Sequence, residues 1–279
     1  MSHFEKTVAE NSIKSSLETT IQEVNDILEL DDGKSFEEKR EAALEHLKTR
    51  EDSILADTLV DVIIAEKEGQ RLKNAFFASG EVLNAERNIV LRKVDPSDRE
   101  GFVGLLHEYS MMKSMLKDKA YCDLVWNEHT EDKALTLSIL KDGNYIGYCG
   151  IKNLTKTPWE IVIEIQSKWT KHGIGHIAIT TMLDEIYTRF GITEYRVRIE
   201  PSNYPSQKLF EKLGAVPNGI SELWIHDQEL LEQCEEDNLH QINDQIISVA
   251  NKFCVEPRKL LSHVLEYTLT WNGKQTEGD

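Results

Sequence analysis

A short stretch with two glycines, Lys171-His172-Gly173-Ile174-Gly175-His176, constrains the fold more than any other part of the sequence. It joins a strand-like run, Trp159 to Ile165, to a helix-like run, Ile177 to Phe190. Glycines at such a junction allow a tight turn in which several backbone N–H groups point the same way. Those groups, with the positive end of the helix dipole behind them, can bind a pyrophosphate. Alone, the pattern more often marks a plain turn, so its meaning depends on the residues that follow it.

Apolar periodicity around this stretch predicts a mixed α/β domain over residues 86–279. Asp142-Gly143 is typical of a hairpin turn, and Ser97 with Glu100 is a capping box that predicts a helix start. The predicted elements are, in chain order, a strand at Asn88–Val94, a helix from Ser97 to about Leu116, strands at Lys133–Leu140, Tyr145–Ile151 and Trp159–Ile165, the helix after the glycines, a strand at Glu194–Glu200 and a helix at Tyr204–Leu213.

The N-terminal part of the chain is predicted to be helical. Residues 11–29 have apolar side chains at spacings of three and four, which is typical of an amphipathic helix. A capping box of Ser35 and Glu38 predicts the start of a second helix. We therefore expect a helical N-terminal extension over residues 1–85, without a catalytic grouping of its own.

The C-terminal part is predicted to contain a helical insertion within the last hairpin. Glu222–His226 and Leu265–Trp271 are predicted strands, with a long helix at Asp227–Phe253 and a shorter one from Pro257 between them. The insertion therefore covers about residues 227–263. Together with the N-terminal helices it could cover an acceptor site or form the surface of a homodimer.

The formal charge of −17 is concentrated at the two ends of the chain. Residues 1–85 and 219–279 are acidic, whereas residues 86–218 are neutral. This distribution argues against a general nucleic-acid-binding protein, because phosphate contacts need a basic face. It permits a basic partner or a cationic amine substrate. Solvated helix faces nevertheless account for most of these charges.

Other features predict a soluble cytoplasmic protein without a membrane segment or a metal site. The sequence has no run of eighteen apolar residues, and Met1 to Lys14 lacks the apolar core of a signal peptide. The cysteines have no Cys-x-x-Cys spacing, so we expect four free thiols, at Cys122, Cys149, Cys234 and Cys254.

Two segments resemble motifs of the GNAT superfamily of acyl-CoA-dependent N-acyltransferases. Trp169-Thr-Lys-His-Gly-Ile-Gly-His176 resembles its pyrophosphate loop, (Arg/Gln)-x-x-Gly-x-(Gly/Ala). Glu200-Pro-Ser-Asn-Tyr-Pro-Ser-Gln-Lys-Leu-Phe-Glu-Lys-Leu-Gly214 resembles the next motif, Asn-x-x-Ser followed by a short helix that ends in Glu-Lys-Leu-Gly. The second motif is most similar to the ribosomal-protein N-acetyltransferase branch. The resemblance covers about residues 88–218, with both motifs in the expected order and at the expected separation.

The resemblance implies a mainly antiparallel sheet with a central pair of splayed parallel strands, Trp159–Ile165 and Glu194–Glu200. It also implies acetyl-CoA as co-substrate, with no metal, and acetyl transfer to a primary amine of a small molecule or a protein. The implied cofactor contacts are the backbone of Lys171, His172, Gly173, Ile174, Gly175 and His176 for the pyrophosphate, the strand end at Ile165 for the pantetheine arm, and the side chains of Asn203 and Ser206 near the thioester.

An amine must lose a proton before it attacks a thioester, so a carboxylate is a useful general base. Glu160 and Glu164 lie on one face of the predicted strand. We favour Glu164 because it is close to the strand end, where the thioester should lie, although a solvent-facing role stays open. His172 and His176 are rival bases that we interpret first as donors or caps in the loop. Candidate phosphate contacts, or ordinary surface lysines, are Lys168, Lys171 and Lys208.

Two residues depart from the family pattern. Thr170 stands where Arg or Gln is usual, which removes a side-chain contact but leaves the backbone cradle. Phe210 stands where many members have a tyrosine thought to protonate the departing thiolate, so Ser206, a water or no specific acid would serve. A non-catalytic module that binds acyl-CoA is therefore the alternative function. A structural domain with a chance Gly-x-Gly is a third interpretation.

Overall fold

The computed structural model describes residues 19, 21–28, 33–48, 53–110, 113–222 and 227–273. The chain divides into two compact units, Met1–Arg71 and Leu72–Asp279. The sequence placed the boundary later, after residue 85. The sheet unit begins earlier because Phe76 and Phe77, at the end of a long helix, are buried in its core.

The first unit is helical wherever it is described. Residues 21–28 are helical, followed by α1 (Phe36–Lys48) and α2 (Ser53–Phe77), which continues into the second unit. The predicted capping box before α1 is present, since the Ser35 N–H donates to Glu38 at 2.7 Å and the Glu38 N–H to the Ser35 hydroxyl at 3.3 Å. Residues 11–18 of the predicted first helix lie outside the described residues. The buried apolar side chains of this unit form a small core, Val24, Leu28, Ala43, Leu47 and Ile63.

The second unit is built on one eight-stranded sheet with the order β1-β2-β3-β4-β5-β6-β8-β7. All neighbouring strands are antiparallel except β5 and β6, as the sequence resemblance implied. The strands are β1 (Val82–Asn84), β2 (Ile89–Lys93), β3 (Leu135–Lys141), β4 (Asn144–Ile151), β5 (Trp159–Ile165), β6 (Glu194–Ile199), β7 (Val216–Ser221) and β8 (Val264–Thr270).

The parallel pair separates soon after it begins. β5 pairs with β6 only at Trp159 with Tyr195 and at Glu160 with Arg196. The remaining five residues of β5 have no partner on that side, whereas β6 stays paired with β8 along its whole length. The sheet therefore opens between the C-terminal ends of these two strands.

Helices cover both faces of this sheet. The helix α5 (Ile174–Phe190) packs on one face, and its buried side chains join the core formed by Cys149 and its neighbours. On the opposite face lie α3 (Arg99–Tyr109) and α4 (Lys119–Thr130), where the ring of Phe102 is 6.0 Å from that of Tyr148. The short helix α6 (Tyr204–Lys212) follows β6.

The region between β2 and β3 differs from its prediction. The capping box is formed by Asp95 and Asp98 and precedes a short 3-10 turn, so the predicted box of Ser97 and Glu100 is wrong. The helix α3 ends at Tyr109 and not near Leu116, and α4 was not predicted.

The helical insertion within the last hairpin is confirmed, with corrections. Its first strand is β7, which precedes the predicted strand; Glu222 follows β7, and residues 223–226 lie outside the described residues. The predicted single helix is two, α7 (Gln228–Asp237) and α8 (Asp244–Phe253), each capped by a side chain, Asp227 and Asn243 respectively. Such caps satisfy the first N–H groups of a helix and so favour a new start.

Candidate active site

The loop after β5 presents a row of unpaired backbone donors. It contains a 3-10 turn at Ser167–Trp169 and leads into α5, whose first internal hydrogen bond is from the Ile177 N–H to the Gly173 carbonyl. Within the part of the chain that the structure describes, the six N–H groups from Lys171 to His176 have no acceptor. The helix behind them runs for 17 residues. A negative group is therefore favoured here.

The two glycines have different roles in this loop. Gly173 is the N-cap of α5 and has a φ of 77°, in the left-handed region that glycine adopts without strain. Gly175 lies against neighbouring elements, since a Cβ there would be 3.1 Å from Leu209 Cδ2 and 3.6 Å from Ile163 Cδ1. Gly173 therefore sets the turn, and Gly175 lets α5 approach β5 and α6 closely.

The two rival histidines have different environments in the loop and the helix that follows it. The His172 ring donates from Nδ1 to the Thr170 carbonyl at 2.7 Å, which fixes it against its own loop. His176 lies in the first turn of α5, and its pKa is lowered by burial and by nearby Lys212. Sequence reasoning missed Lys212, which lies at the end of α6.

One arginine near the loop was also missed. Arg87 lies in the tight turn between β1 and β2, and its Nη1 is 3.4 Å from the carbonyl oxygen of His172. A Cβ at Gly173 would be 3.5 Å from the same nitrogen. The residue is some 85 positions away from the loop in sequence, so no local motif connects the two.

The second motif forms the start of α6 across the opening. The Asn203 side chain caps this helix by accepting from the Ser206 N–H at 3.1 Å. Phe210 is 1% exposed and belongs to the core, so the position where relatives carry a tyrosine holds a packed apolar ring here. Ser206 is partly buried at the first turn of α6, beside the opening between the splayed strands.

Glu164 lies near the end of β5, on the face opposite to α5. Its cross-strand neighbour is Tyr148, and burial raises the pKa of the carboxyl while the Tyr148 hydroxyl, by hydrogen bonding to it, lowers that pKa. Its Oε2 is shielded from solvent and has no hydrogen-bond partner among the described residues. A buried unpaired oxygen of this kind is costly. Among the described residues this carboxylate oxygen is therefore free to accept a hydrogen bond.

Glu160, the other glutamate on this face, has a different environment. Its carboxylate accepts from Arg198 Nε at 3.1 Å and from Arg196 Nη2 at 3.2 Å, and Lys152 Nζ is 3.8 Å away. Two guanidinium groups hold it as a carboxylate anchored in an ion-pair cluster. Of the two candidates, only Glu164 lacks a cationic partner.

A β-bulge brings a second tyrosine to Glu164. The pairing of β3 with β4 shifts register between Ile139 and Leu140, so Tyr145 comes to the same face as Tyr148. The Tyr145 hydroxyl is buried without a partner, and its pKa is raised by burial and by the charges of Asp98 and Glu164. No sequence signal pointed to either tyrosine, because a bulge reverses the alternation from which faces are assigned.

Aromatic rings surround this pair of tyrosines. His129 of α4 stacks on Phe102 at 4.1 Å and meets Tyr148 edge to face at 4.4 Å, and Trp126 lies beside Phe102 at 5.6 Å. Burial lowers the pKa of His129 to about 4, so the imidazole is neutral at neutral pH. The aromatic cluster that packs on Tyr148 is therefore uncharged at neutral pH.

The same face is supported by a buried carboxylate. Asp98 is 3% exposed and accepts from Arg92 Nη2 at 2.7 Å and from the Ser138 hydroxyl at 2.7 Å. Ser138 is the cross-strand neighbour of Tyr148. Arg92, Ser138, Tyr148 and Glu164 thus form one polar row across β2, β3, β4 and β5.

The end of α3 is tied to the end of β5. The Tyr109 hydroxyl donates to the Ile165 carbonyl at 2.8 Å, and the Glu108 carboxylate accepts from the Ser167 N–H at 2.7 Å. Ile165, predicted to contact the cofactor arm, therefore already has a partner on its carbonyl. Burial and the charges of Glu108 and Glu164 raise the pKa of Tyr109.

The comparisons with known proteins agree with this geometry. A family model described as an acetyltransferase (GNAT) domain matches residues 88–216. A Bacillus subtilis (strain 168) protein, provisionally described as a ribosomal protein bS18-alanine N-acetyltransferase, is 27% identical over 143 residues. That alignment covers 51% of this chain and 87% of the relative.

Solved structures with similar folds include two complexes with CoA bound as a disulfide. Mycobacterium smegmatis RimJ is 16% identical, with 68% of this chain and 85% of that chain covered and a TM-score of 0.45. RimL, described as a ribosomal L7/L12 α-N-protein acetyltransferase, is 10% identical, with 70% and 100% covered and a TM-score of 0.46.

No described helix is long and apolar enough to cross a membrane. No group of three His, Cys, Asp or Glu side chains in the same residues is placed to hold a metal ion.

Proposed function

We propose that the protein is an acyl-CoA-dependent N-acetyltransferase whose acceptor is the α-amino group of a protein amino terminus, because a family model described as an acetyltransferase (GNAT) domain matches residues 88–216. The description of the Bacillus relative supports this acceptor class. The single observation that carries the catalytic proposal is the unpaired, solvent-shielded Glu164 oxygen at the end of β5.

The cofactor side fits acetyl-CoA. The six N–H groups from Lys171 to His176 form a cradle for the pyrophosphate, and the unpaired edge of β5 offers backbone groups to the amides of the pantetheine arm. With acetyl-CoA bound in this way, the thioester would lie near Ile165, and Asn203 and Ser206 would face it from the other side of the opening. Bound acetyl-CoA supplies the activated acetyl group.

The acceptor side fits a protonated amine. Glu164 would accept a hydrogen bond from the ammonium group and then take its proton, since burial raises the Glu164 pKa toward that of an effective base. Glu164 Oε2 is shielded from solvent, and the neutral aromatic cluster of Phe102 and His129 packs on its neighbour Tyr148, which would limit the access of water to this interaction. Glu164 is therefore assigned as the general base.

The transfer step balances without a further reactant. The neutral amine attacks the thioester carbonyl carbon, a C–N bond forms, and the C–S bond breaks. Glu164, which has taken one proton from the ammonium group, releases it to solvent. The second nitrogen proton is lost from the adduct and passes to the sulfur through the Ser206 hydroxyl or a water, which takes one proton and gives another, so that CoA leaves as a thiol. Phe210 cannot serve, since it has no hydroxyl and is buried.

The buried Phe210, which has no hydroxyl, favours a second candidate function, a module that binds acyl-CoA without turnover. A thiolate without a dedicated acid leaves more slowly, which a binding module would tolerate. Turnover separates the two candidates.

The test mixes the full chain and acetyl-CoA with short peptides that have a free amino-terminal alanine or serine. Separate reactions contain spermidine, or an amino-terminally blocked peptide with a lysine, as the acceptor. We expect acetylation of the free peptides only, with kcat reduced about 10³-fold in Glu164→Gln, in the range typical of a lost general base. CoA affinity, measured by calorimetry, should not change in this variant.

Glu200→Gln is the matched control. Glu200 follows β6 at the far side of the opening, and burial raises its pKa as well. Loss of activity in Glu200→Gln but not in Glu164→Gln would overturn the assignment of the base. Acetylation of spermidine alone would overturn the acceptor class. If the protein bound CoA but acetylated none of the acceptors, the second candidate function, binding of acyl-CoA without turnover, would be supported instead.

A further inference from the structure

The turn between β1 and β2 directs an arginine toward the pyrophosphate loop. Arg87 and Asn88 both have positive φ, 58° and 56°, and the Ile89 N–H donates to the Glu86 carbonyl at 3.2 Å. Two left-handed residues inside such a hydrogen bond define a tight hairpin turn that normally favours Asn-Gly. An arginine in the first of these positions is strained.

The turn is fixed in place from the other side. Asn88 Nδ2 donates to the Asp142 carboxylate at 3.2 Å, and the Asp142 N–H donates to the Asn88 carbonyl at 3.3 Å. Because the β3–β4 turn holds the hairpin, the direction of Arg87 is set by the sheet. The guanidinium reaches the His172 carbonyl and lies over Gly173.

No carboxylate of the described residues neutralises the Arg87 charge. Its side chain is exposed, and its guanidinium has no carboxylate within ion-pair distance among the described residues. The one contact that it makes, to a carbonyl at 3.4 Å, uses one of its five N–H donors. The adjacent loop offers its backbone N–H groups and the lysines Lys168 and Lys171, and Thr170 stands where a longer polar side chain is usual.

We propose that Arg87 is a cofactor-binding residue that contacts the pyrophosphate of acetyl-CoA beside the Gly173 N–H. This inference rests on the proposed cofactor site and adds to it a side chain that lies before residue 88, where the family match begins. Arg87 supplies the side-chain cation that Thr170 does not, and it does so from a different part of the chain. Its planar fork matches two phosphate oxygens at once.

The alternative is that Arg87 is a brace, by which we mean that its hydrogen bond to the His172 carbonyl only stabilises the loop. The two roles differ in their dependence on charge and on the ligand. A brace would affect every ligand and the stability of the unliganded protein, whereas a phosphate contact affects only ligands that carry the phosphate. A glutamine at position 87 keeps an N–H donor for the carbonyl and removes the charge.

The experiment is calorimetric titration of the full chain with CoA, dephospho-CoA and pantetheine. We expect Arg87→Gln to weaken CoA and dephospho-CoA equally, about tenfold, as is typical for a charge-assisted hydrogen bond. Pantetheine binding, the melting temperature and kcat at saturating acetyl-CoA should stay unchanged, while the KM for acetyl-CoA rises. Arg87→Lys should lose less than Arg87→Gln.

Lys156→Gln is the matched control, because it removes one exposed cation at the opposite end of β5, about 20 Å away. An Arg87→Gln effect no larger than that of the control would overturn the inference. A loss for CoA but not for dephospho-CoA would move the contact to the 3′-phosphate and overturn the pyrophosphate assignment. A loss of pantetheine binding or of stability would establish the brace. Failure of the wild-type chain to bind CoA would count against the proposed cofactor site itself.

Discussion

The two halves of the site are built in different ways. The cofactor half is made mainly of backbone, in one continuous segment from Lys171 to His176, with Gly173 at the turn. The acceptor half is made of side chains from several elements, with Glu164 from β5, Tyr148 from β4 and His129 from α4. In the proposed function the first half would bind through backbone N–H groups, whereas the second would bind through particular side chains.

The two halves therefore differ in how strongly each depends on the identity of its side chains. A backbone cradle depends on a turn and on the start of a helix, so it tolerates Thr170 in place of a longer side chain. The acceptor half depends on each side chain and on the bulge in β4 that aligns Tyr145 with Tyr148. Acceptor choice can thus vary while cofactor use stays constant.

The largest expected effect comes from a carboxylate placed in the cofactor half. Gly173→Glu puts a side chain where φ is 77° and a negative charge where the pyrophosphate would lie. It would also pair with Arg87, whose Nη1 is 3.5 Å from the position of the new Cβ. We expect CoA affinity to fall more than about 100-fold, which corresponds to about 3 kcal/mol. Calorimetry measures this.

Gly173→Asn is the control for that variant, since asparagine adopts the left-handed region more readily than other residues and is neutral. If both variants lost the same affinity, the turn geometry alone would explain the result. The electrostatic account of the cradle would then be wrong.

The sequence predicted the strand, the glycine turn and the helix of the cofactor half because this information is local. The strand, the glycines and the helix are consecutive, and the splayed parallel pair followed from the family resemblance. Glu164 was favoured over Glu160 only from its place near the strand end. The reason now visible, the two guanidinium groups on Glu160, depends on Arg196 and Arg198 of another strand.

The remainder of the site depends on long-range pairing that a sequence does not display. Arg87 reaches the loop because a hairpin turn is held by Asp142. Tyr145 reaches Glu164 because a register shift reverses the alternation of side chains in β4. The long C-terminal helix was predicted as one because its apolar spacing continues through the break at residues 238–243.

A smaller effect is expected from Phe210→Tyr, which tests whether this side chain can act on the departing sulfur. Phe210→Tyr restores the side chain that the family pattern carries, but the ring is packed in the core. A buried hydroxyl without a partner costs about 2 kcal/mol. We expect the free energy of unfolding in urea to fall by about that amount and kcat to stay the same. A rise in kcat would show that the ring can face the sulfur, and that the cofactor half does include this helix side chain.

The smallest expected effect is a shift in the pH dependence of kcat/KM, and it tests the acceptor half. Tyr148→Phe removes the hydrogen bond that lowers the pKa of Glu164, while the burial that raises this pKa remains. A general base acts in its deprotonated form, so the acidic limb of kcat/KM against pH should move to higher pH. At acidic pH the kcat/KM of the variant should be a few-fold lower than that of the wild type, which corresponds to about 1 kcal/mol. At high pH the two values should converge.

Tyr109→Phe is the matched control for this shift, since its hydroxyl donates to the Ile165 carbonyl and not to Glu164. Its acidic limb should therefore coincide with that of the wild type. If the limb moved in Tyr109→Phe and stayed in Tyr148→Phe, the titrating base would lie nearer to the end of α3, where Glu108 also lies. The acceptor half would then be centred on the contact between α3 and β5 instead of on the row that crosses β4.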